Sequence, residues 1–404
     1  MLMKSDSDKR QLSCPLYNFI VKEGYIYCFS WKFNFCFVFD VVSGKIVEKQ
    51  VMEEYPANAY MLFRLADAGD SIIAFPYIAD YILKWDIHST ECTKVDLPAS
   101  LSNNVGNRKF SAFALKGKEM FLFPADTDQI CRFDCVTNEI REVFDIRKYL
   151  SEKNQLQDSF LFANGSYLFN DTVYLGCWGT NNIVSFDTHR NMVKLISAEG
   201  IGSGIRSICG NKNSIFVLSG DGELLIRNIE DNKEMVVKIC GEGEEHWWNT
   251  GEERMFYYAG YVFAFAQKTE LSKRIRILDG QVEDVFEEQS VSQMKHGDAD
   301  TELLFGAFNQ DQGIVYIYST QGNIYWFDVV SREKTGDSCL EYDADELARW
   351  IKENAKSDNY MREDEYLYGL SDLMNRLLKA EKKMKHSLPW ADAGKSIYLH
   401  TIKE

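Results

Sequence analysis

The sequence predicts an all-β fold, a seven-bladed β-propeller, followed by a C-terminal α-helical extension. Seven short apolar strands end in an aromatic-Asp pair or a variant of it, and an amphipathic helical pattern replaces them after about residue 341. The pairs are Phe39-Asp40, Trp85-Asp86, Phe133-Asp134, Phe186-Asp187, Arg227-Asn228, Leu278-Asp279 and Phe327-Asp328. Their separations are 46, 48, 53, 41, 51 and 49 residues, the period expected of one four-stranded blade.

Each repeat divides into four strands, which we call A to D. In the first repeat they are residues 16–21, 25–30, 35–40 and 45–52. The later B strands are rich in β-branched and aromatic residues, which fit a buried pleated surface, and are predicted at 71–75, 119–123, 172–175, 214–218, 261–266 and 314–318. We expect a short C–D hairpin after each pair, in which the Asp accepts hydrogen bonds from turn amides.

The C-terminal part follows a different period. Residues 343–356 and 362–385 are predicted as helices, and the second places Tyr366, Leu370 and Leu377 on one stripe. We therefore expect a propeller over residues 14–340 and a helical extension over 341–404, with a short terminal strand at 396–402. Docking of residues 362–385 on the propeller, dimerisation and capture of a partner protein are alternative roles for that stripe.

Composition limits the classes of function. A net charge of −16 argues against nucleic-acid binding, which needs a basic surface. The absence of a run of about 18 apolar residues predicts no membrane span, and the first ten residues contain no apolar signal segment, which favours the cytoplasm. The ten cysteines form no Cys-x-x-Cys pair and are interpreted as buried reduced thiols.

The polar D–A connections between blades are the expected place for function. One of them carries Glu245, His246, Trp247, Trp248 and Asn249. Paired aromatic rings beside carboxylates and an amide suit a sugar, because the rings stack on C–H surfaces while the polar groups bind hydroxyls. The alternative is that both tryptophans plug the channel or pack between blades.

The next D–A connection carries His296 and Asp298. Consecutive blades are neighbours, so these residues, together with His246 and Glu245, are candidates for an acid–base pair or a metal site. Their spacing matches no known metal motif, so neither a metal nor a cofactor is predicted. Two polar loops that share one face are the alternative interpretation.

A third candidate comes from aligning the repeats. Counting 22 residues back from the anchors places Arg64 and Arg206 at matching positions of two inner strands. Two guanidinium groups in one channel need a carboxylate partner or an anionic ligand. Gly202-Ser203-Gly204, just before Arg206, is a candidate source of backbone amides for such an anion.

Over residues 14–340 the chain resembles the kelch-like and WD-like propellers, and it is similar to uncharacterised bacterial propeller proteins. Trp85-Asp86 matches the WD dipeptide, whereas the kelch Gly-Gly doublet does not occur in any repeat. The resemblance implies architecture and leaves function open. We expect a non-catalytic binding or scaffold protein for a glycan, a glycoconjugate precursor or a partner protein. The alternative is a lyase or hydrolase acting on an anionic sugar with a His base and an Arg clamp.

Overall fold

The computed structural model describes residues 9–11, 16–30, 35–51, 62–76, 79–89, 91–102, 108–153, 162–163, 165–202, 204–240, 254–266, 271–295, 303–319 and 322–343. These residues form seven four-stranded antiparallel sheets, each built from four consecutive strands. This is the all-β architecture of a seven-bladed β-propeller, which confirms the predicted fold class. We number the blades 1 to 7 in chain order and keep the letters A to D for their strands.

A short strand, β1 (Lys9–Gln11), precedes the blades. Blade 1 contains β2 (Leu16–Lys22), β3 (Tyr25–Ser30), β4 (Phe35–Asp40) and β5 (Ile46–Val51). Blade 2 contains β6 (Leu62–Asp67), β7 (Ser71–Pro76), β8 (Tyr81–Asp86) and β9 (Cys92–Asp96). Helix α1 (Ala99–Ser102) follows. Blade 3 contains β10 (Phe110–Lys116), β11 (Glu119–Pro124), β12 (Gln129–Asp134) and β13 (Ile140–Asp145).

Helix α2 (Ile146–Glu152) leads to blade 4, which contains β14 (Tyr167–Phe169), β15 (Thr172–Gly176), β16 (Asn182–Asp187) and β17 (Met192–Ser197). Blade 5 contains β18 (Ile205–Gly210), β19 (Ser214–Ser219), β20 (Glu223–Asn228) and β21 (Glu234–Lys238). Blade 6 contains β22 (Arg254–Tyr258), β23 (Tyr261–Phe265), β24 (Lys273–Arg276) and β25 (Val282–Asp284), and helix α3 (Glu288–Met294) follows it. Blade 7 contains β26 (Leu303–Asn309), β27 (Ile314–Ser319), β28 (Asn323–Asp328) and β29 (Lys334–Cys339), and the last described strand is β30 (Glu341–Asp343).

The B strands confirm the sequence pattern closely. All seven begin at the predicted residue, and the later six end within one residue of the predicted end. Their side chains are almost entirely buried; every residue of β7 is buried, for example. This burial explains why the Ile-, Phe- and Val-rich runs predict the B strands from the sequence alone, since a strand covered on both faces needs apolar residues at every position.

The core lies between the faces of neighbouring sheets. Phe186, fully buried in β16, contacts Phe121 and Phe123 of blade 3 edge-on, with ring centroids 5.8 Å apart in both pairs. Edge-to-face contact between aromatic rings is favourable and fills the space between two sheets. The aromatic half of the repeated pair is therefore a packing element between blades.

The acidic half of the pair closes the C–D turn, as predicted. Asp134 accepts hydrogen bonds from the backbone amides of Val136 and Thr137 at 2.8 and 2.9 Å. The Thr137 amide, followed by the Val136 amide, holds the pKa of this carboxyl below its usual value. The same side-chain-to-amide bond occurs at the other anchors of blades 1, 2, 4, 5 and 7, namely Asp40, Asp86, Asp187, Asn228 and Asp328.

In blade 6 the predicted residue does not occupy the anchor position. In blades 1 to 5 the first residue of the B strand faces the anchoring Asp or Asn, but Tyr261 faces Arg276. Asp279 lies in the turn itself, where it binds the Arg276 guanidinium through both oxygens at 2.9 and 2.8 Å and accepts from the Gln281 amide. The assignment of Leu278-Asp279 as an anchor pair was therefore wrong by three residues, because Arg276 occupies the anchor position and the carboxylate that fixes this turn lies within the turn.

The chain divides into two compact units, one of residues 1–60, 320–324 and 337–404, and the other of residues 61–319 and 325–336. In the first unit β1 pairs with β30, which joins the segments on either side of the seven blades. Gly44, in the C–D turn of blade 1, packs so closely on the Cys339 carbonyl that a Cβ atom would lie 1.8 Å from that oxygen. The first and last parts of the propeller sequence are thus held together without an exchange of strands between sheets.

The remaining expectations for architecture are met only in part by the described residues. Nine cysteines are described, all as thiols and seven of them buried, in agreement with the interpretation as reduced thiols. Within the described part of the chain, no helix has the length and apolarity needed to cross a membrane. Apart from Asp343 in β30, the predicted helices at 343–356 and 362–385 and the strand at 396–402 lie outside the described residues.

Candidate functional site

The two ends of each blade differ in what they carry. The A–B and C–D turns meet at one end, as the bond from the Ile87 amide to the Asp70 carbonyl shows in blade 2. The B–C and D–A connections meet at the other, where the Ala125 amide donates to the Lys109 carbonyl in blade 3. We call these the turn end and the connection end.

Arg64 and Arg206 both lie near the connection ends of their A strands, but not at matching positions. Arg64 pairs with Phe75 just after a β-bulge in β6, whereas Arg206 is itself the extra residue of a β-bulge in β18, between Ile205 and Ser207. The residue of blade 5 that matches Arg64 is therefore Ser207. The predicted equivalence of the two arginines was wrong by one residue.

The error has a simple cause in the neighbouring hairpins. Ser71 faces Asp86 across the B–C hairpin of blade 2, and Ser214 faces Asn228 across that of blade 5. The second hairpin is one residue shorter, so a fixed distance from the anchor reaches a different register in the A strand. A bulge also turns its extra residue away from the regular alternation of side chains, which is how Arg206 leaves the strand's ordinary pattern.

Arg206 stacks on an aromatic residue that the sequence analysis did not single out. Its guanidinium carbon lies 4.2 Å from the ring centroid of Trp178, which belongs to the B–C connection of blade 4. Both side chains are half-buried. A guanidinium over an indole face is a favourable cation–π arrangement and gives a rigid, flat, charged surface.

Close backbone contact brings the two blades together at this point. Trp178 forms a β-bridge with Ile205, and a Cβ atom on Gly204 would lie 2.5 Å from the backbone of Gly179. Glycine is therefore required where the connection of blade 4 meets the start of blade 5. Asn181 reinforces the contact by donating from its side-chain amide to the Ile201 carbonyl at 2.7 Å.

Two carboxylates lie beside Gly202, a residue shortly before Arg206 in the chain. The Gly202 amide donates to Glu223 at 2.8 Å, and Asp221 lies exposed beside the same glycine. We predicted from the sequence that the Gly202 amide could bind an anionic ligand. In the structure this amide donates to a carboxylate of the chain itself. We call Trp178, Arg206, Asp221 and Glu223 the Trp178–Arg206 surface.

The thiol next to this surface is not suited to nucleophilic chemistry. Cys177 precedes Trp178 directly, and burial raises the pKa of its thiol to about 12. A thiol with such a pKa stays protonated at neutral pH and is a weak nucleophile. The groups of the surface can instead stack on an apolar ring face, donate from a guanidinium and accept from hydroxyls.

A second polar cluster occupies the connection ends of blades 2 and 3. Lys109 is fully buried, with its ammonium 3.1 Å from Asp80 and 2.7 Å from the Leu101 carbonyl. Arg108 makes a two-pronged contact with Asp126, with both bonds at 2.7 Å. Burial opposes ionisation of Asp126, but the hydrogen bonds and charge of Arg108 outweigh it and leave the pKa of Asp126 lowered. These groups join the connections of the blades to one another and serve the fold.

Most of the predicted site lies outside the described residues. This holds for Glu245, His246, Trp247, Trp248 and Asn249, and also for His296 and Asp298. The two histidines that are described, His88 and His189, both follow an anchoring Asp at the turn end. Among the described residues, then, the connection end provides arginines and a tryptophan but no imidazole base.

Comparison with known proteins identifies the fold and no family. Neither a family model nor a curated protein sequence matches the chain. A structure of catalytically inactive virginiamycin B lyase from Staphylococcus aureus with quinupristin is similar, with a TM-score of 0.57, 12% identity and coverage of 79% of this chain and 97% of that one. U3-55K gives a TM-score of 0.53 at 10% identity over 76% and 89% of the two chains. The computationally designed protein Ika8 gives 0.50 at 13% identity over 81% and 87%.

Proposed function

We propose that this chain is a non-catalytic binding or scaffold protein that holds its ligand at the connection end of the blades. The propeller fold suits such a role, and one observation carries the proposal further, namely the stacked Trp178–Arg206 pair, with Asp221 and Glu223 beside the nearby Gly202. The rigid hairpins at the turn end support connections that are free to differ from blade to blade, and binding residues gather on such connections.

A glycan or glycoconjugate precursor is the ligand class that we propose first. An indole ring packs against the C–H surface of a sugar ring, while carboxylates such as Asp221 accept hydrogen bonds from hydroxyls. Arg206 adds a donor that favours a sugar bearing a carboxylate or phosphate. Trp247 and Trp248, on the connection between blades 5 and 6, are the proposed continuation of this surface.

A partner protein is the alternative ligand, and it uses the same chemistry. Tryptophan and arginine are the residue types that contribute most to protein interfaces, especially where they are packed and partly desolvated. The enzymatic alternative depends on His246 or His296 as a base. Nothing in the described geometry favours it over binding.

The test is a glycan array probed with the full-length protein. We expect wild type to bind a subset of glycans and Trp178→Ala to lose that signal. Trp326→Ala is the matched control, since Trp326 is also a half-buried tryptophan but lies in the C strand of blade 7. The double variant Trp247→Ala/Trp248→Ala tests the proposed continuation. Equal glycan signals from wild type and Trp178→Ala would contradict the assignment of the surface.

The helical extension is proposed as a separate docking element. Its predicted apolar stripe includes Leu370 and Leu377, and a lysine at either position would place a charge in any interface that it forms. Sedimentation of Leu370→Lys beside wild type then separates dimerisation from other roles. A dimer in wild type that is lost in the variant supports self-association, and unchanged sedimentation contradicts it.

A further inference from the structure

An open groove runs between blades 4 and 5 along the outermost strand of blade 4. Its volume is about 480 Å³. One wall is the last half of β17 together with Glu199, and the other consists of Arg227, Asn232 and Glu234 of blade 5. The groove lies along β17 and is distinct from the Trp178–Arg206 surface, so a ligand bound in it is independent of the proposed function.

The hydrogen-bond pattern of β17 shows which backbone groups face the groove. The Ala198 amide donates to the Asn181 carbonyl at 2.7 Å, so this pair is a bonded pair of the antiparallel ladder. Bonded and non-bonded pairs alternate along such a ladder. Ser197, Leu195 and Val193 therefore direct their N–H and C=O groups away from β16, to the open edge of the sheet.

Arg227 confirms this pattern and marks one end of the free edge. Its guanidinium donates to the Ser197 carbonyl at 2.9 Å and is held by Glu234 at 2.6 Å and by the Asn232 side chain at 3.0 Å. The Ser197 carbonyl can accept this bond only because it faces outward. The remaining outward groups, which are the Ser197 amide and the amides and carbonyls of Leu195 and Val193, have no backbone partner among the described residues.

The edge of β17 lacks the protection that sheet edges normally carry. Charged side chains along an edge strand discourage the addition of another strand. β17 reads MVKLIS and has one charged residue, Lys194, whereas β13 of the neighbouring blade reads IREVFD and has three. An unprotected edge beside an open groove is a site at which an extended peptide adds a strand.

We propose that this groove binds an extended, basic peptide segment of a partner protein, which pairs with β17 as a fifth strand of blade 4. Five outward backbone groups are available, and they match three to five residues of peptide at about 3.3 Å per residue. The walls favour a basic sequence, because Glu199 is exposed and the Arg227 charge is already neutralised by Glu234. The net charge of −16 of the chain acts in the same direction.

The test measures binding of a fluorescein-labelled hexapeptide of alternating lysine and valine to the full-length protein by fluorescence anisotropy. Ser197→Pro removes an outward amide without touching the bonds to β16, and proline is tolerated on an edge strand. We expect this variant to bind about tenfold more weakly, since a lost hydrogen bond is combined with a ring that blocks the edge. An alternating glutamate–valine peptide should not bind.

The matched control is Asp96→Pro. Asp96 is exposed and occupies the corresponding outward position of β9 in blade 2, because the next amide, of Leu97, bonds the Asp80 carbonyl as Ala198 bonds Asn181. This variant should bind the lysine peptide as wild type does. In the amide NMR spectrum of isotopically labelled protein, addition of the peptide should shift the backbone amide signals of Val193, Leu195 and Ser197.

Three outcomes would overturn the proposal. The first is absence of lysine-peptide binding to wild type at millimolar concentration, and the second is equal binding by wild type and Ser197→Pro. The third is a wild-type dimer that Ser197→Pro dissociates, which would assign the edge to a second copy of the chain. Comparison of the two proline variants by circular dichroism establishes that both are folded before binding is measured.

Discussion

The turn end and the connection end of the blades are built on opposite principles. At the turn end, six anchoring side chains make the same bond to a turn amide, from Asp40 in blade 1 to Asp328 in blade 7. At the connection end, contacts such as Trp178 on Arg206 and Lys109 beside Asp80 each occur once among the described blades. Repetition therefore marks the scaffold, and the contacts that depart from it include the surface at which we propose that a ligand binds.

The largest effect is expected from a change in the packing between blades. We expect Phe186→Ala to lower the free energy of unfolding by about 3–5 kcal/mol, because it removes a buried ring and leaves a cavity. Urea denaturation measures the change. Val136→Ala in the exposed C–D turn of blade 3 is the control and should be close to wild type. A loss below about 1 kcal/mol for Phe186→Ala would show that the aromatic anchor does not hold neighbouring blades together.

The buried lysine tests whether polar groups at the connection end also serve the fold. Lys109→Ala should cost about 2–3 kcal/mol, since Asp80 and the Leu101 carbonyl lose the charge that they bind inside the protein. Lys94→Ala is the matched control from blade 2, where the lysine is exposed and 3.4 Å from Asp96. Such surface pairs contribute about 0–1 kcal/mol. Equal costs for the two variants would contradict the structural role assigned to Lys109.

A smaller effect is expected from the repeated turn bond. Asp134→Ala leaves the Val136 and Thr137 amides without their acceptor and should lower the melting temperature by about 1–2 °C. Asp134→Asn should restore most of the loss, because Asn228 makes the same contact in blade 5. Thermal denaturation followed by circular dichroism checks both. If Asp134→Asn lowers the melting temperature as much as Asp134→Ala does, the turn requires the negative charge and not only an acceptor for the backbone amides.

The smallest expected effect is a dependence on pH. Backbone amides, of Thr137 for Asp134 and of Arg190 for Asp187, hold the pKa values of these carboxyls below the usual range in the folded state. Their stabilisation is thus complete above the pKa of the unfolded chain, near 4, and is lost as the pH falls through the lower folded pKa. The stability of wild type relative to Asp134→Asn/Asp187→Asn should decline on acidification below about pH 4. A constant difference between pH 7 and pH 3 would contradict this linkage.

Sequence alone predicted the scaffold almost completely. The B strands are buried on both faces, so runs of apolar residues predict where they lie. Six of the seven anchors could be located by residue type. The prediction failed for the anchor of blade 6, because Arg276 occupies the anchor position and Asp279 supplies the carboxylate from within the turn. Residue type cannot distinguish these two solutions, since both fix a turn with one carboxylate.

The candidate site was predicted less well, for a physical reason. Counting from the anchor assumes hairpins of equal length, and the B–C hairpin of blade 5 is one residue shorter than that of blade 2. Trp178 was missed although a tryptophan within Cys177-Trp178-Gly179 was visible as the start of a connection. Its importance comes from contact with a residue 28 positions later, which no local pattern contains.

The most direct measurement is the glycan-array signal of one variant from each end. Asp134→Ala changes the repeated turn, and Trp178→Ala changes the connection that departs from the repeat. We predict that Asp134→Ala keeps the wild-type pattern of bound glycans and that Trp178→Ala loses it, while circular dichroism shows both variants to be folded. Loss of binding in Asp134→Ala together with retention in Trp178→Ala would contradict the account, because the ligand would then be held by the part of the molecule that we assign to the scaffold.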